Sequence, residues 1–154
     1  MRPGLSLGLP LTAGLVACLA LLPLSAWAME FKAVGVAPAV LFDAPGLKSR
    51  KVFVAPPGMP VEVVLDDGVW ARVRDASGEL AWVESQRLTA RRMLIVEVPQ
   101  ATVRAAANDG AAVVFTARQG VLLELAEPIV SGWIKVRHRD GELGFVKASE
   151  VWGE

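Results

Sequence analysis

Two short runs of aromatic and basic residues are the part of this sequence best equipped to bind a ligand. The runs are WARVR at positions 70–74 and WIKVR at positions 133–137. Side chains alternate between the two faces of a β-strand, so the tryptophan and the two cations of each run would share one face. An indole ring provides a flat stacking surface, and neighbouring cations donate hydrogen bonds to a carboxylate or another anion. The residues of this candidate site for an anionic or carboxylated ligand are Trp70, Arg72, Arg74, Trp133, Lys135 and Arg137.

A second aromatic position accompanies each run on the strand that follows it. Trp82 follows the first run and Phe145 follows the second, at equivalent positions. Their parity predicts that they lie on the same face as Trp70 and Trp133, where the rings could stack across a hairpin. We include both as candidate ligand-binding residues, although simple packing is an equally physical interpretation.

A purely structural role is the alternative for the whole face. The aliphatic stems of Arg72 and Arg74 could cover the ring of Trp70 and form a stiff surface cluster with no ligand. Tryptophans that recur in a repeat are more often structural than ligand-binding. The sequence leaves both interpretations open.

Residue types that carry out catalysis are scarce. The only histidine is His138, which lies between two arginines, and nothing in the neighbouring sequence orients it as a base. The only cysteine, Cys18, falls in an N-terminal segment that we expect to be removed, so neither a cysteine nucleophile nor a zinc site is expected. The sequence contains no glycine-rich phosphate-binding loop. We therefore predict a protein that is not an enzyme and that uses no metal and no cofactor.

The elements that would position these residues are revealed by an internal repeat. Residues 69–88 align without a gap to residues 132–151, at an offset of 63, with seven identical positions. Each copy reads as two short strands joined by a turn that ends in Gly78 or Gly141. Further β-branched runs punctuated by proline and glycine precede each hairpin. This pattern predicts two copies of a small all-β module.

The first 28 residues are predicted to be a secretory signal peptide. Arg2 supplies a positive charge, residues 5–24 are apolar, and Ala26-Trp27-Ala28 places small residues where a signal peptidase requires them. Cleavage after Ala28 would leave a periplasmic or secreted protein. Two alternatives attach the protein to a membrane instead: an uncut apolar anchor, or lipidation of Cys18, which ends a lipobox-like LVAC.

The domain prediction places the signal peptide at 1–28, the first module at 29–91 and the second at 92–154. No Gly/Ser-rich linker separates the modules, so we expect them to pack closely. Without the signal peptide the chain carries 15 basic and 16 acidic residues, a net charge of −1. That balance argues against electrostatic capture of nucleic acid.

The two hairpins resemble those of the bacterial SH3-like domain. The shared pattern is a tryptophan strand of the form W-x-[KR]-V-R, a glycine turn, and then a small residue, an aromatic residue and valine, as in residues 70–83 and 133–146. The resemblance covers essentially Val36–Trp152 and implies two small, partly open β-barrels in tandem. It also implies an exported or envelope-associated binding module that holds peptidoglycan, its peptides or a protein partner. The chain has no tyrosine, so a tyrosine-lined groove for proline-rich peptides is not expected.

Two functions follow from the residues and the resemblance together. The first is a non-catalytic envelope module that holds a cell-wall peptide or an envelope protein through the Trp70 and Trp133 faces. The second is a structural or adaptor protein whose modules bury those faces against each other or against a partner subunit. Solvent exposure of the two tryptophans is the observation we expect to separate them.

Overall fold

A computed structural model of the protein describes Met1, Gly4 and residues 29–154. The predicted signal peptide and Cys18 lie outside the described residues, apart from Met1 and Gly4. No helix among the described residues is long and apolar enough to cross a bilayer. The regular structure is all-β, with two short 3₁₀ turns, as the sequence predicts.

The first half of the described chain forms one seven-stranded sheet. Its strands occur in the spatial order β3-β2-β6-β5-β4-β1-β7, and the pairs between them are antiparallel. The bounds are β1 Glu30–Val34, β2 Ala39–Phe42, β3 Lys51–Ala55, β4 Pro60–Asp66, β5 Trp70–Arg74, β6 Leu80–Glu84 and β7 Leu88–Thr89.

The second half forms a sheet with the same topology. Its order, β10-β9-β13-β12-β11-β8-β14, repeats the first with every strand number raised by seven. The bounds are β8 Met93–Val96, β9 Gln100–Arg104, β10 Val113–Arg118, β11 Leu122–Val130, β12 Trp133–Arg137, β13 Leu143–Lys147 and β14 Val151–Trp152. The predicted duplication is therefore a duplication of the fold.

The turns explain why glycine recurs in the repeat. Gly78 and Gly141 end the hairpin turns with φ of 89° and 96°, a left-handed conformation that costs a residue with a Cβ about 1 kcal/mol or more. The second copy has one additional residue, which the register shifts of β11 between Glu127 and Val130 absorb. Both hairpins consequently keep the same register.

Each sheet has a hydrophobic core of its own. No polar or charged residue is buried among the described residues, so apolar burial stabilises the modules at about 1.5–3 kcal/mol for each fully buried large aliphatic side chain. The first core consists of Val34, Ala39, Leu41, Ala55, Met59, Val61, Ala71, Val73, Ala81 and Val83. The second consists of Leu94, Val96, Ala101, Val103, Ala117, Leu123, Ile134, Val136, Val146 and Val151.

The two modules contact each other directly. Only residues 90–92 separate β7 from β8. The ring of Phe31 on β1 meets the indole of Trp152 on β14 edge to face, with centroids 5.0 Å apart. The Arg92 guanidinium lies 5.7 Å from the Phe31 centroid, and its Nη2 donates a 3.1 Å hydrogen bond to the Gly153 carbonyl oxygen. The close packing expected from the absence of a flexible linker is thus confirmed.

Strand β3 lies at one edge of the first sheet and is exposed on both faces. Val52, Phe53 and Val54 are all solvent-exposed, and β2 is the only strand paired with β3 within the described chain. The equivalent strand of the second module, β10, is better covered, because the ring of His138 lies 5.5 Å from the ring of Phe115. The two edges therefore differ in how much apolar surface they present to solvent.

Candidate functional site

The predicted division of each hairpin into a core face and an outer face is confirmed. Ala71 and Val73 point into the first core and are at most 1% exposed. Ile134 and Val136 occupy the same positions in the second core and are fully buried. The residues between them project to the other side of the sheet. The candidate ligand-binding residues are therefore on the outer face of each module.

On the first module, a row of side chains crosses three strands. Arg72 on β5 is directly opposite Trp82 on β6, and Trp82 is opposite Phe42 on β2. Trp70 is opposite Glu84 and packs edge to face against Phe42, with ring centroids 5.6 Å apart. The expected stacking of Trp70 and Trp82 across the hairpin is therefore wrong. Trp70 instead contacts Phe42 on β2, a strand outside the hairpin. We call Phe42, Trp70, Arg72 and Trp82 the first aromatic face.

The two arginines of this hairpin have different partners. Arg74 donates a 2.8 Å hydrogen bond from Nη1 to Oε2 of Glu62, which is its register partner on β4. Arg72 is exposed and forms no salt bridge with any residue of 29–154. Of the two cations predicted to meet a ligand, Arg72 is available and Arg74 is already paired.

On the second module, the two lysines of the outer face are occupied within the protein. Lys147 lies 5.7 Å from the ring centroid of Trp133 and also pairs with Asp109 at 2.7 Å. Lys135 lies 5.9 Å from the ring centroid of Phe145 and pairs with Glu127 at 2.7 Å. Of the two cations that the sequence offered to an anionic ligand on this face, Lys135 is therefore already paired, whereas Arg137 is not.

The two outer faces also differ in the number of their aromatic rings. The position of Phe42 is taken in the second module by Arg104, which is the register partner of Phe145. Its guanidinium donates a 2.9 Å hydrogen bond from Nη1 to the Ala111 carbonyl oxygen. The second face therefore has two rings, Trp133 and Phe145, where the first has Trp70 and Trp82 packed with the buried ring of Phe42.

All four candidate rings have intermediate exposure. Trp70, Trp82, Trp133 and Phe145 are neither buried nor open to solvent. The solvent exposure of Trp70 and Trp133 therefore does not distinguish a ligand site from an adaptor surface. The partners of the cations distinguish the faces better than the exposure of the rings does.

Arg137 lacks the salt bridge to a neighbouring strand that its counterpart Arg74 forms. Its register partner is Glu124, but Glu124 accepts a 2.7 Å hydrogen bond from Nη2 of Arg91, which lies in the connection between the modules. That hydrogen bond lowers the pKa of the Glu124 carboxyl and raises the pKa of Arg91. Arg137 is left exposed, on the side of the second module that faces the first.

The expectation that nothing orients His138 is wrong. Its Nδ1 lies 2.8 Å from Oδ2 of Asp140, and the ring packs near Phe115. Ligand atoms of His138, Asp140 and Glu142 lie within 4.8 Å of one another. Asp140 also accepts a hydrogen bond from the backbone N–H of Glu142 through Oδ1, so its carboxylate already serves the turn.

Sequence reasoning missed a cleft between the two modules. Its volume is about 560 Å³, and it is bounded by β1 and the β3–β4 turn on one side and by β8, β11 and the β12–β13 turn on the other. Three arginines from separate parts of the chain line it together with Glu124: Arg91, Arg137 and Arg139. Strand alternation had named Arg137, at the end of β12, as a candidate, but Arg139 in the hairpin turn and Arg91 in the connection gave no periodic signal.

Comparison with known proteins defines the family. Residues 35–89 and 97–153 each match the bacterial SH3 domain, so this chain belongs to the bacterial SH3 domain family as a tandem of two domains. The resemblance stated from the hairpins is confirmed, and so is the fold of two small SH3-like modules. The bacterial SH3 domain is a binding domain and not a catalytic one. No curated protein matches the chain.

Two solved structures are similar to the chain. NlpC1 from Trichomonas vaginalis is 12% identical with a TM-score of 0.38, over 84% of this chain and 48% of that chain. NlpC2 from the same organism is 11% identical with a TM-score of 0.37, over 82% of this chain and 48% of that chain. The chain spans about half the length of these structures.

Proposed function

We propose that the protein is a non-catalytic binding protein of the cell envelope that holds a cell-wall peptide on the first aromatic face. The observation that carries the proposal is the pairing of an unoccupied cation with an aromatic cluster. Arg72 has no salt-bridge partner among the described residues and lies opposite Trp82, beside the packed rings of Trp70 and Phe42. A peptide offers both groups that such a face recognises, a carboxylate for the guanidinium and apolar atoms for the rings.

The second face is proposed to contribute less. Its lysines pair with Asp109 and Glu127, so an anionic ligand would have to displace those carboxylates before it could bind. Rim charges that are satisfied within a protein add little to affinity. The tandem is therefore proposed to have one main peptide face, on the first module.

Co-sedimentation with purified peptidoglycan sacculi tests this function. Mature wild-type protein is expected to pellet with the sacculi, and Trp70→Ala to weaken binding about thirtyfold, because a central aromatic contact contributes on the order of 2 kcal/mol to binding. Trp133→Ala is the matched control on the other module and is expected to pellet nearly as well as the wild type. Circular dichroism of each variant establishes that it is folded.

Each possible result of this experiment tests a different part of the proposal. A wild-type protein that stays in the supernatant would overturn the cell-wall function. Equal losses for Trp70→Ala and Trp133→Ala would overturn the assignment to the first face while retaining cell-wall binding. Pelleting that neither substitution changes would move the site elsewhere on the molecule.

An adaptor role is the second candidate, and the module contact favours it. Phe31, Trp152 and Arg92 hold the two domains together without using the Trp70 or Trp133 faces. A two-domain unit with both outer faces accessible suits a protein partner as well as a peptide. If wild-type protein does not pellet but Trp70→Ala abolishes capture of one envelope protein after cross-linking, the adaptor role is the correct one.

We also propose that the protein is exported from the cytoplasm. The signal segment predicts cleavage after Ala28, which places Met29 at the new N-terminus, next to the first residue of β1. Mass spectrometry of protein from the periplasmic fraction is expected to find a chain that begins at Met29. An intact N-terminus in the membrane fraction would indicate the uncut anchor, and an acylated Cys18 would indicate a lipoprotein.

A further inference from the structure

The cleft between the modules has the size and position of a ligand site. Its volume of about 560 Å³ lies within the range of about 300–1,000 Å³ that small-ligand pockets occupy, and such pockets favour domain interfaces. Neither aromatic face contributes a ring to its lining. The cleft is therefore separate from the first aromatic face.

Its rim is basic although the chain as a whole is not. Arg91, Arg137 and Arg139 line it against a single carboxylate, Glu124, an excess of two positive charges. Neither Arg137 nor Arg139 forms a salt bridge with any residue of the described chain. Both side chains are exposed. Two guanidinium groups are thus available on one wall of the cleft.

Arg91 is the reason that Arg137 is available. In the first module, Glu62 is the register partner of Arg74 and binds it. In the second, Glu124 is the register partner of Arg137, but Arg91 binds it instead, at 2.7 Å. The connection between the modules therefore takes the carboxylate that the sheet would otherwise supply to Arg137.

The hairpin turn between β12 and β13 is also more basic than its counterpart in the first module. Residues 75 and 76 of the first module are aspartate and alanine, and the equivalent residues of the second module are His138 and Arg139. The two rim arginines without a salt bridge, Arg137 and Arg139, therefore both belong to the second copy. The turn adds the charge of Arg139, and the pairing of Glu124 with Arg91 leaves Arg137 without a salt bridge.

The remainder of the lining is apolar. Val34, Met93, Val121 and Leu122 contribute to it, and the side chain of Val36 is fully exposed at its edge. A highly charged polyanion would gain nothing from these aliphatic groups and would be repelled by Glu124. A short chain that alternates carboxylates with small apolar side chains matches both parts of the lining.

We infer that the cleft between the modules binds a short acidic peptide, with its carboxylates on Arg137 and Arg139 and its apolar side chains on the aliphatic lining. Bidentate hydrogen bonds from arginine to carboxylate give such a site both strength and orientation. Arg91 acts as a positioning residue, because it forms the salt bridge with Glu124 that would otherwise be open to Arg137. This site does not depend on peptide binding at the first aromatic face.

Binding of a defined probe tests the inference. The probe is acetyl-Ala-Glu-Ala-Glu with a free C-terminus, and the comparison peptide is the neutral acetyl-Ala-Gln-Ala-Gln-amide, both titrated calorimetrically into the mature full chain at low salt. The acidic peptide is expected to bind and the neutral one to bind at least about tenfold more weakly, since hydrogen bonds from arginine to a carboxylate are stronger than those to a neutral amide. Equal affinity for the two peptides, or no binding of the acidic one, would overturn the inference.

Four variants locate the site. Arg137→Gln with Arg139→Gln is expected to weaken the acidic peptide at least about tenfold. Arg91→Gln is expected to weaken it too, by returning Glu124 to Arg137, whereas Glu124→Gln is expected to tighten it. Lys48→Gln, at an exposed cation in the loop between β2 and β3 and outside the cleft lining, is the matched control and is expected to leave the affinity unchanged.

The opposite effects of Arg91→Gln and Glu124→Gln distinguish this mechanism from loss of folding, which would weaken binding in both. An affinity that the double variant leaves unchanged overturns the inference. So does one that Lys48→Gln reduces equally, because general surface charge and not the cleft would then hold the peptide.

Discussion

Asp66 shows how one side chain organises the end of a strand. Its carboxylate accepts hydrogen bonds from Nζ of Lys32 at 3.1 Å, from the backbone N–H of Gly68 at 2.9 Å and from Oγ of Ser85 at 2.7 Å. The hydrogen bonds from Ser85 and Gly68, together with Lys32, lower the pKa of Asp66 below its usual 3.8. This carboxylate joins β4, β1 and the segment after β6, and so fixes the strand that precedes Trp70.

Asp66→Asn is expected to make stability less dependent on pH. The folded-state pKa is depressed, so the stabilisation by the carboxylate is complete above about pH 4 and is lost as pH falls through the folded pKa. We expect the substitution to reduce the free energy of unfolding by about 1 kcal/mol at pH 7, and the difference to shrink at pH 3. Urea denaturation at both pH values measures it.

Glu79→Gln is the control for that experiment, because Glu79 forms no salt bridge with the described residues. Its unfolding midpoint is expected to equal that of the wild type at pH 7. A cost of Asp66→Asn that stays the same from pH 7 to pH 3 would show that the charge of the carboxylate is not what stabilises the fold.

At this scale the sequence predicts residue types and faces but not partners. Strand alternation correctly separated Val73 from Arg72. It could not separate Arg72 from Arg74, because the carboxylate that binds Arg74 comes from β4, twelve positions away. The same applies to Arg137, whose availability depends on Arg91 in the connection. Salt-bridge partners are set by strand register and loop path, which local patterning does not encode.

Among the elements of the second module, β13 tolerates little change at Gly144. A methyl group on Gly144 would lie 2.5 Å from Cγ1 of Val103 and 2.9 Å from the carbonyl oxygen of Arg104, both on β9. The equivalent residue of the first module is Ala81, which is buried in that core. The close approach of β9 to β13 therefore explains why a small residue is replaced by glycine in one copy only.

Gly144→Ala is expected to destabilise the second module by about 1–3 kcal/mol, because the surrounding backbone must move to admit a methyl group. Thermal denaturation followed by circular dichroism measures the loss. Gly110→Ala is the matched control, since the nearest atom to its new methyl group is 3.5 Å away, and its melting temperature is expected to stay within error of the wild type. A Gly144→Ala protein as stable as that control would contradict the packing described for β9 and β13.

The hairpins were the most predictable elements. Glycine turns, alternating apolar residues and the repeat defined them from sequence alone, and the family resemblance supplied the barrel. The contribution of Phe42 to the first aromatic face was not predicted, because β2 joins β6 through a single register pair, Phe42 with Trp82. Pairing between strands distant in sequence depends on the whole sheet.

At the scale of the whole molecule, the contact between the modules is expected to couple their unfolding. Trp152 meets Phe31 across the two domains, and Gly153 beside it has φ of 116°. A methyl group on Gly153 would lie 2.5 Å from the Met93 carbonyl oxygen and 3.1 Å from Cβ of Pro60. The chain at Gly153 consequently lies closely against both modules, and each small domain gains buried surface from the other.

Trp152→Ala is expected to uncouple the two modules. Removing the indole takes away the edge-to-face contact with Phe31 and costs about 2 kcal/mol, so one calorimetric transition is expected to separate into two. Phe53→Ala, which removes an exposed ring from β3, is the control and is expected to keep the wild-type profile. A single transition at an unchanged temperature in Trp152→Ala would show that the domains are coupled by other contacts.

The exposed edge of the first sheet has a consequence for the protein at high concentration. Val52, Phe53 and Val54 on β3 present apolar side chains beside a row of backbone groups that no strand of the described chain covers. Such an edge is a template for another strand, and natural proteins usually guard it with charge, as Lys51 does at one end only. Two molecules that meet along β3 would continue one sheet into the next. Self-association should therefore begin at this strand, and solubility should be limited by the first copy and not by the second.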